Sequence, residues 1–127
     1  YWPPIVDPPT GVRTPGKWVW ADLVTHDVAR AADFYAAVLG WTFETYGGAA
    51  DTDTYTLALA DGVPVAGMVF DARPDDGSPA ASRWVGLISV PDVAAAVAAA
   101  KGGGGRLVMP PRRLGARGET AALVDPE

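Results

Sequence analysis

From Trp18 to Val24 the chain alternates, with Val19, Ala21 and Leu23 on one side and Trp18, Trp20, Asp22 and Val24 on the other. That two-residue period predicts a strand. Asp27 is placed to cap a following helix, whose apolar positions Val28, Ala31, Phe34, Tyr35, Val38 and Leu39 recur at three- and four-residue spacing until Gly40 stops it. Phe34, Tyr35, Val38 and Leu39 are expected to seal that helix against a sheet, with Tyr35 and Trp41 in the core. Three β-rich stretches follow, Trp41 to Tyr46, Thr54 to Ala60 and Val63 to Phe70, the last two joined by Asp61-Gly62, a favoured hairpin turn. The order is β-α-β-β-β.

A polar stretch from Asp71 to Ser82, with Pro74, Asp75, Asp76, Gly77 and Pro79, separates this unit from a second one. The order then restarts: Trp84 to Val90 as a strand, Asp92 as a cap, Val93, Ala96, Val97 and Ala100 as a helical stripe, and Gly102 to Gly105 as the stop. The shift between the two caps is 92 − 27 = 65 positions, and it also places Val28 on Val93, Ala31 on Ala96 and Gly40 on Gly105. The same shift carries Thr54 to Ala60 onto Glu119 to Asp125, and carries Val63 to Phe70 past Glu127. The second unit is therefore expected to lack its last strand. An unpaired sheet edge is a hazard that proteins normally cover, so a partner chain or a downstream segment is expected to complete the sheet.

Composition narrows the chemistry. The net charge is −5, and Arg112-Arg113 is read as a solvated loop edge, so nucleic acid is not an expected partner. Cysteine is absent, which removes disulfides, thiolate metal ligands and thiol nucleophiles. No apolar run approaches the roughly 18 residues of a membrane span. The start at Tyr1 and the prolines Pro3, Pro4, Pro8 and Pro9 suggest an extended arm over 1–16 and a processed or trimmed terminus. Compartment stays open, with the cytoplasm favoured over export after processing. Ser78, Ser82 and Ser89 have no His in a nucleophile pattern, and the glycine run follows a helix instead of opening one, so neither serine hydrolysis nor phosphate binding is supported. His26, the only His, sits between strand and cap and is read as a surface turn residue.

The segments Trp20-Ala-Asp-Leu-Val-Thr-His-Asp27, Phe34-Tyr35-Ala-Ala-Val-Leu-Gly-Trp41 and Val65-Ala-Gly-Met68 resemble the first half of a vicinal oxygen chelate domain. This is the family of glyoxalase, bleomycin-resistance and extradiol dioxygenase proteins. Trp84 to Val90, the Pro-Asp-Val and Ala-rich helix after it, Pro110-Pro111 and Asp125-Pro126-Glu127 resemble the second half. The resemblance implies an α+β fold of paired βαβββ modules forming a curved, mostly antiparallel sheet. One domain is expected over 17–127, with a first module at 17–72 and a second, truncated one at 83–127.

Members of the family hold a divalent metal with His and Glu side chains on the first and last strands of the modules. Carried over, the two first-strand positions fall on Trp20 and Val85, neither of which can coordinate a cation, so the expectation is a metal-free protein without cofactors. Strand parity aims Trp18, Trp20 and Asp22, with Val85, Leu87 and Ser89 from the second module, at the hollow side of the sheet, and aromatic walls with few polar groups suit a small organic ligand. Three functions follow from this reading: a metal-free binder in the manner of the drug-sequestering members; a metal-dependent lyase, isomerase or dioxygenase completed by a second chain or domain; and a dimeric interaction module. A homodimer or a tandem arrangement is expected in each.

Overall fold

The computed structural model describes residues 14–47, 54–71, 82–113 and 118–127. The polar stretch between the two modules therefore lies almost entirely outside the described residues, as does most of the N-terminal arm. Seven strands and two helices are present among the described residues: β1 Trp18–Thr25, α1 Val28–Leu39, β2 Thr42–Gly47, β3 Thr54–Ala60, β4 Val63–Phe70, β5 Arg83–Ile88, α2 Val93–Gly102, β6 Arg106–Arg113 and β7 Glu119–Val124. The class is α+β, as expected.

The chain divides into two compact units. The first contains 18–88 and the second 13–17 with 89–127. In the first, five strands form one mixed sheet in the order β2-β3-β4-β1-β5. β1 is its hinge of connectivity, parallel to β4 and antiparallel to β5. The strand expected to open the second module thus belongs, by pairing, to the sheet of the first. In the second unit β6 and β7 form an antiparallel pair that packs with α2. β6 contains Pro110 and Pro111, and its register with β7 shifts between Met109 and Arg112, where proline cannot supply ladder N–H groups.

Local chemistry explains the element ends. The Asp27 side chain accepts a hydrogen bond from the Arg30 N–H at 2.9 Å, and the Asp92 side chain does the same for Ala95 at 3.0 Å, so both helices begin with one capping device. Gly40 ends α1 at φ 70°, its N–H donating to the Ala36 carbonyl. In the β3–β4 hairpin Asp61 and Gly62 both take positive φ, 49° and 77°, as a turn of the primed type requires.

One side of the first unit's sheet carries its core. Leu23, Ala58, Ala66 and Met68 are buried there, and Met68 is the largest side chain that is fully so; Leu59, also buried, alternates to the opposite side with Leu57. Register aligns Thr45, Thr56, Met68, Leu23 and Trp84 in a single row across all five strands. The buried hydroxyls in this unit are partnered, Thr56 with Thr45 at 3.2 Å and Thr25 with Ser82 at 2.8 Å and with the Asp27 N–H.

α1 lies on this side but is seated differently from the sequence expectation. Phe34, Val38 and Leu39 are more than half exposed, while Val28, Ala31, Ala32 and Tyr35 are its half-buried positions. Those four occur at spacing 0, 3, 4 and 7, so a helical stripe exists, displaced toward the small residues that permit close approach. Tyr35 stacks on Trp41 at 5.5 Å and accepts a hydrogen bond from the Trp84 indole N–H at 2.9 Å, joining helix to strand β5 through aromatic rings. Replacing Met68 by Ala is expected to lower the unfolding free energy by about 2–5 kcal/mol in a urea titration. Phe34→Ala, at an exposed position of the same unit, is expected to cost under about 1 kcal/mol.

Candidate functional site

The opposite side of the same sheet collects the polar chemistry. Register places Glu44, Leu57, Gly67, Asp22 and Val85 in one row across β2, β3, β4, β1 and β5. The next row is Tyr46, Tyr55, Val69, Val24 and Arg83, and Trp20 pairs with Leu87 on the other flank of Asp22. Because side chains alternate along a strand, all of these face away from α1.

At the centre three side chains interlock. The Tyr55 hydroxyl donates to Asp22 Oδ1 at 2.7 Å, and the Trp20 indole N–H points at both that oxygen, at 3.0 Å, and the Tyr55 hydroxyl, at 2.9 Å. Gly67 makes the closure feasible. A Cβ at that position would stand 1.7 Å from the Tyr55 hydroxyl and 2.4 Å from Asp22 Oδ1, distances no side chain can adopt. Strand β4 therefore contributes an absence of side chain, and Tyr55 reaches over it from β3 to β1. Trp20, Asp22 and Tyr55 are all half-buried, so the group is neither sealed in the core nor fully in solvent.

On β2 the Tyr46 hydroxyl donates to the Glu44 carboxylate. That hydrogen bond, with the charge of Glu44 next and a small burial effect last, raises the Tyr46 phenol above its ordinary value of 10.0. Tyr46 is paired with Tyr55 in register, so the Glu44–Tyr46 pair lies beside the central group.

The sequence-derived candidates are only partly brought together. Trp20, Asp22, Val85 and Leu87 share the face just described. Trp18 does not join them. The β1–β5 register shifts between Trp18 and Trp20, and the bulge turns Trp18 so that its ring lies over Gly86, whose partner Ala21 belongs to the α1 side. Ser89 belongs to the second unit, where its N–H donates to the Lys17 carbonyl and it borders an open cavity of about 550 Å³ with Pro15, Asp92 and Glu119. His26 occupies the bend between β1 and the α1 cap, as expected, but it is half-buried, and its Nδ1 is buried without a hydrogen-bond partner among the described residues. Tyr55, Gly67, Glu44 and Tyr46 were not singled out from sequence. A glycine inside an otherwise apolar strand, Gly67, was the one signal that could have pointed to a close approach.

Among the described residues the donor set does not fit the divalent metal that the resemblance implies. Indole and isopropyl groups stand at Trp20 and Val85, Asp22 Oδ1 already receives two hydrogen bonds, and no group of three or more His, Cys, Asp or Glu among the described residues could hold an ion. Nor is any helix of the described residues long and apolar enough to cross a membrane.

The family model described as Glyoxalase/Bleomycin resistance protein/Dioxygenase superfamily matches residues 17–127. A protein of Mycobacterium bovis and one of Mycobacterium tuberculosis, both named "Putative glyoxylase CFP32", are each 31% identical to this chain over 109 residues. The match covers 84% of this chain and 41% of each relative, so the chain spans less than half of their length.

Two outcomes follow from this geometry. Gly67→Ala is expected to expel the Tyr55 hydroxyl from Asp22, costing about 1–3 kcal/mol of stability and shifting the Trp20 indole N–H resonance in a proton–nitrogen correlation spectrum. Glu44→Gln is expected to bring the Tyr46 phenol down toward 10.0 in an ultraviolet titration. The sign is that of a raised pKa: the stabilisation from the Tyr46–Glu44 contact is complete below the unfolded value and disappears as pH climbs through the folded one.

Proposed function

The chain belongs to the Glyoxalase/Bleomycin resistance protein/Dioxygenase superfamily, and from that premise we propose that it binds a small organic molecule, without a metal, on the sheet face opposite α1. The supporting observation is the interlocked Trp20–Asp22–Tyr55 group over Gly67. It combines the flat apolar surface of an indole and a phenol with one fixed carboxylate, and Leu57, Val85 and Leu87 flank it with aliphatic surface. Hydrogen bonds among the three side chains hold them in place before a ligand arrives, which reduces the ordering cost of binding. Trp18 and Ser89 are left out of this site, for the reasons of placement given above.

The mycobacterial relatives are more than twice as long as the segment they share with this chain, which favours a tandem unit in the working protein. Their printed name favours one further reading, a glyoxylase-type enzyme; any metal donors would then be supplied by a second chain or domain. Elemental analysis separates the two. Stoichiometric metal in the purified protein, with activity restored by Zn²⁺, Mn²⁺, Fe²⁺ or Ni²⁺ after chelation, would replace the metal-free reading.

For the binding reading, a panel of small aromatic compounds is expected to perturb the Trp20 indole N–H resonance at micromolar to millimolar concentrations. Trp20→Ala is expected to weaken binding by roughly ten-fold or more in calorimetry. Equal affinities for wild type and Trp20→Ala would rule the face out as the binding surface.

A further inference from the structure

The charges on this face are of one sign where the aromatic rings are. Asp22 and Glu44 stand in the same row, and the rings of Trp20, Tyr55 and Tyr46 are on or beside them. Both carboxylates are hydrogen-bonded by neutral donors: Asp22 by an indole N–H and a phenol O–H, and Glu44 by a phenol O–H. Neutral donors fix a carboxylate without cancelling its charge. Among the described residues neither is ion-paired. Arg83 is the cation of these rows, and it stands on edge strand β5, where it pairs with Asp71 at 3.8 Å with both side chains largely exposed. The electron-rich faces of Trp and Tyr attract cations, and the Asp22 carboxylate, without an ion pair among the described residues, adds to that attraction.

We infer that this face selects an organic cation, a protonated or quaternary amine carried on a planar apolar body, over neutral or anionic molecules of the same shape. The inference rests on the binding reading above and names the class of its ligand. The ammonium group sits against the Trp20 and Tyr55 rings within reach of the Asp22 carboxylate, and the apolar body lies over Val85 and Leu87, the β5 partners of Asp22 and Trp20. An anion of the same outline meets the Asp22 carboxylate instead, so it is disfavoured by repulsion.

Three isosteric probes test it by calorimetry and by the Trp20 indole N–H resonance: para-(trimethylammonio)phenol, its neutral counterpart para-tert-butylphenol, and para-phenolsulfonate. The cation is expected to bind at least ~5-fold more tightly than the neutral probe, and the anion not measurably. The preference is expected to shrink as salt rises and to fall to near parity in Asp22→Asn/Glu44→Gln. Asn keeps an acceptor for Trp20 and Tyr55, and Glu44 is exposed, so the double variant retains the hydrogen-bonded frame. Equal binding of cation and neutral probe overturns the charge selection and leaves the binding face standing. A Trp20 resonance unmoved by all three probes overturns the binding reading and the selection with it.

Discussion

Everything particular to this sheet face depends on the space above one backbone position. Gly67 sits in the middle of β4, with Leu57 on one side and Asp22 on the other, and its missing side chain lets a phenol from β3 meet a carboxylate on β1. Had β4 carried even a methyl group there, the three polar side chains would have been driven apart, each obliged to find water or another partner. The interlock is thus a packing event before it is an electrostatic one. It also ties together strands that are not neighbours, since the Tyr55–Asp22 bond spans β3 to β1 across β4.

The two sides of the sheet divide the labour. On the α1 side, threonine hydroxyls satisfy one another or a cap, and Met68 and Leu23 fill the interior. The opposite side keeps its hydroxyl and carboxylate groups half-open and spreads aliphatic residues around them. A carboxylate placed on the first side would be desolvated without compensation; on the second it is held by two neutral donors and stays half-open to solvent.

Much of this was legible in the residues. The hairpin at Asp61-Gly62, the two aspartate caps and the Gly40 stop are short-range signals, written in a few adjacent residues, and each appears at its expected place. Family membership was readable from the Phe34-to-Trp41 segment and the repeat of elements. Trp20, Asp22, Val85 and Leu87 could be assigned to one face because parity is a local property. What escaped was non-local. Tyr55 joins the site only through strand pairing 33 positions away from Asp22, and no window of sequence contains both. Phe34, Val38 and Leu39 have helical spacing yet stay exposed, because α1 presents Ala31 and Ala32, small enough for close approach. Pairing also moved β5 into the first unit, which periodicity could not foretell.

In β1 the alternation breaks once, at the bulge between Trp18 and Trp20. A strand's alternation is rigid, so an insertion at one end ordinarily reverses every side chain beyond it. Here the irregularity absorbs that change of phase within β1: residues ahead of it follow one alternation and residues from Trp20 onward another. The orientation of Trp20 and Asp22 is therefore set by the pairing of β1 with β4 and β5 from Trp20 onward, whatever phase precedes the bulge. The bulge works as a mechanical decoupler between the chain's entry and its chemistry.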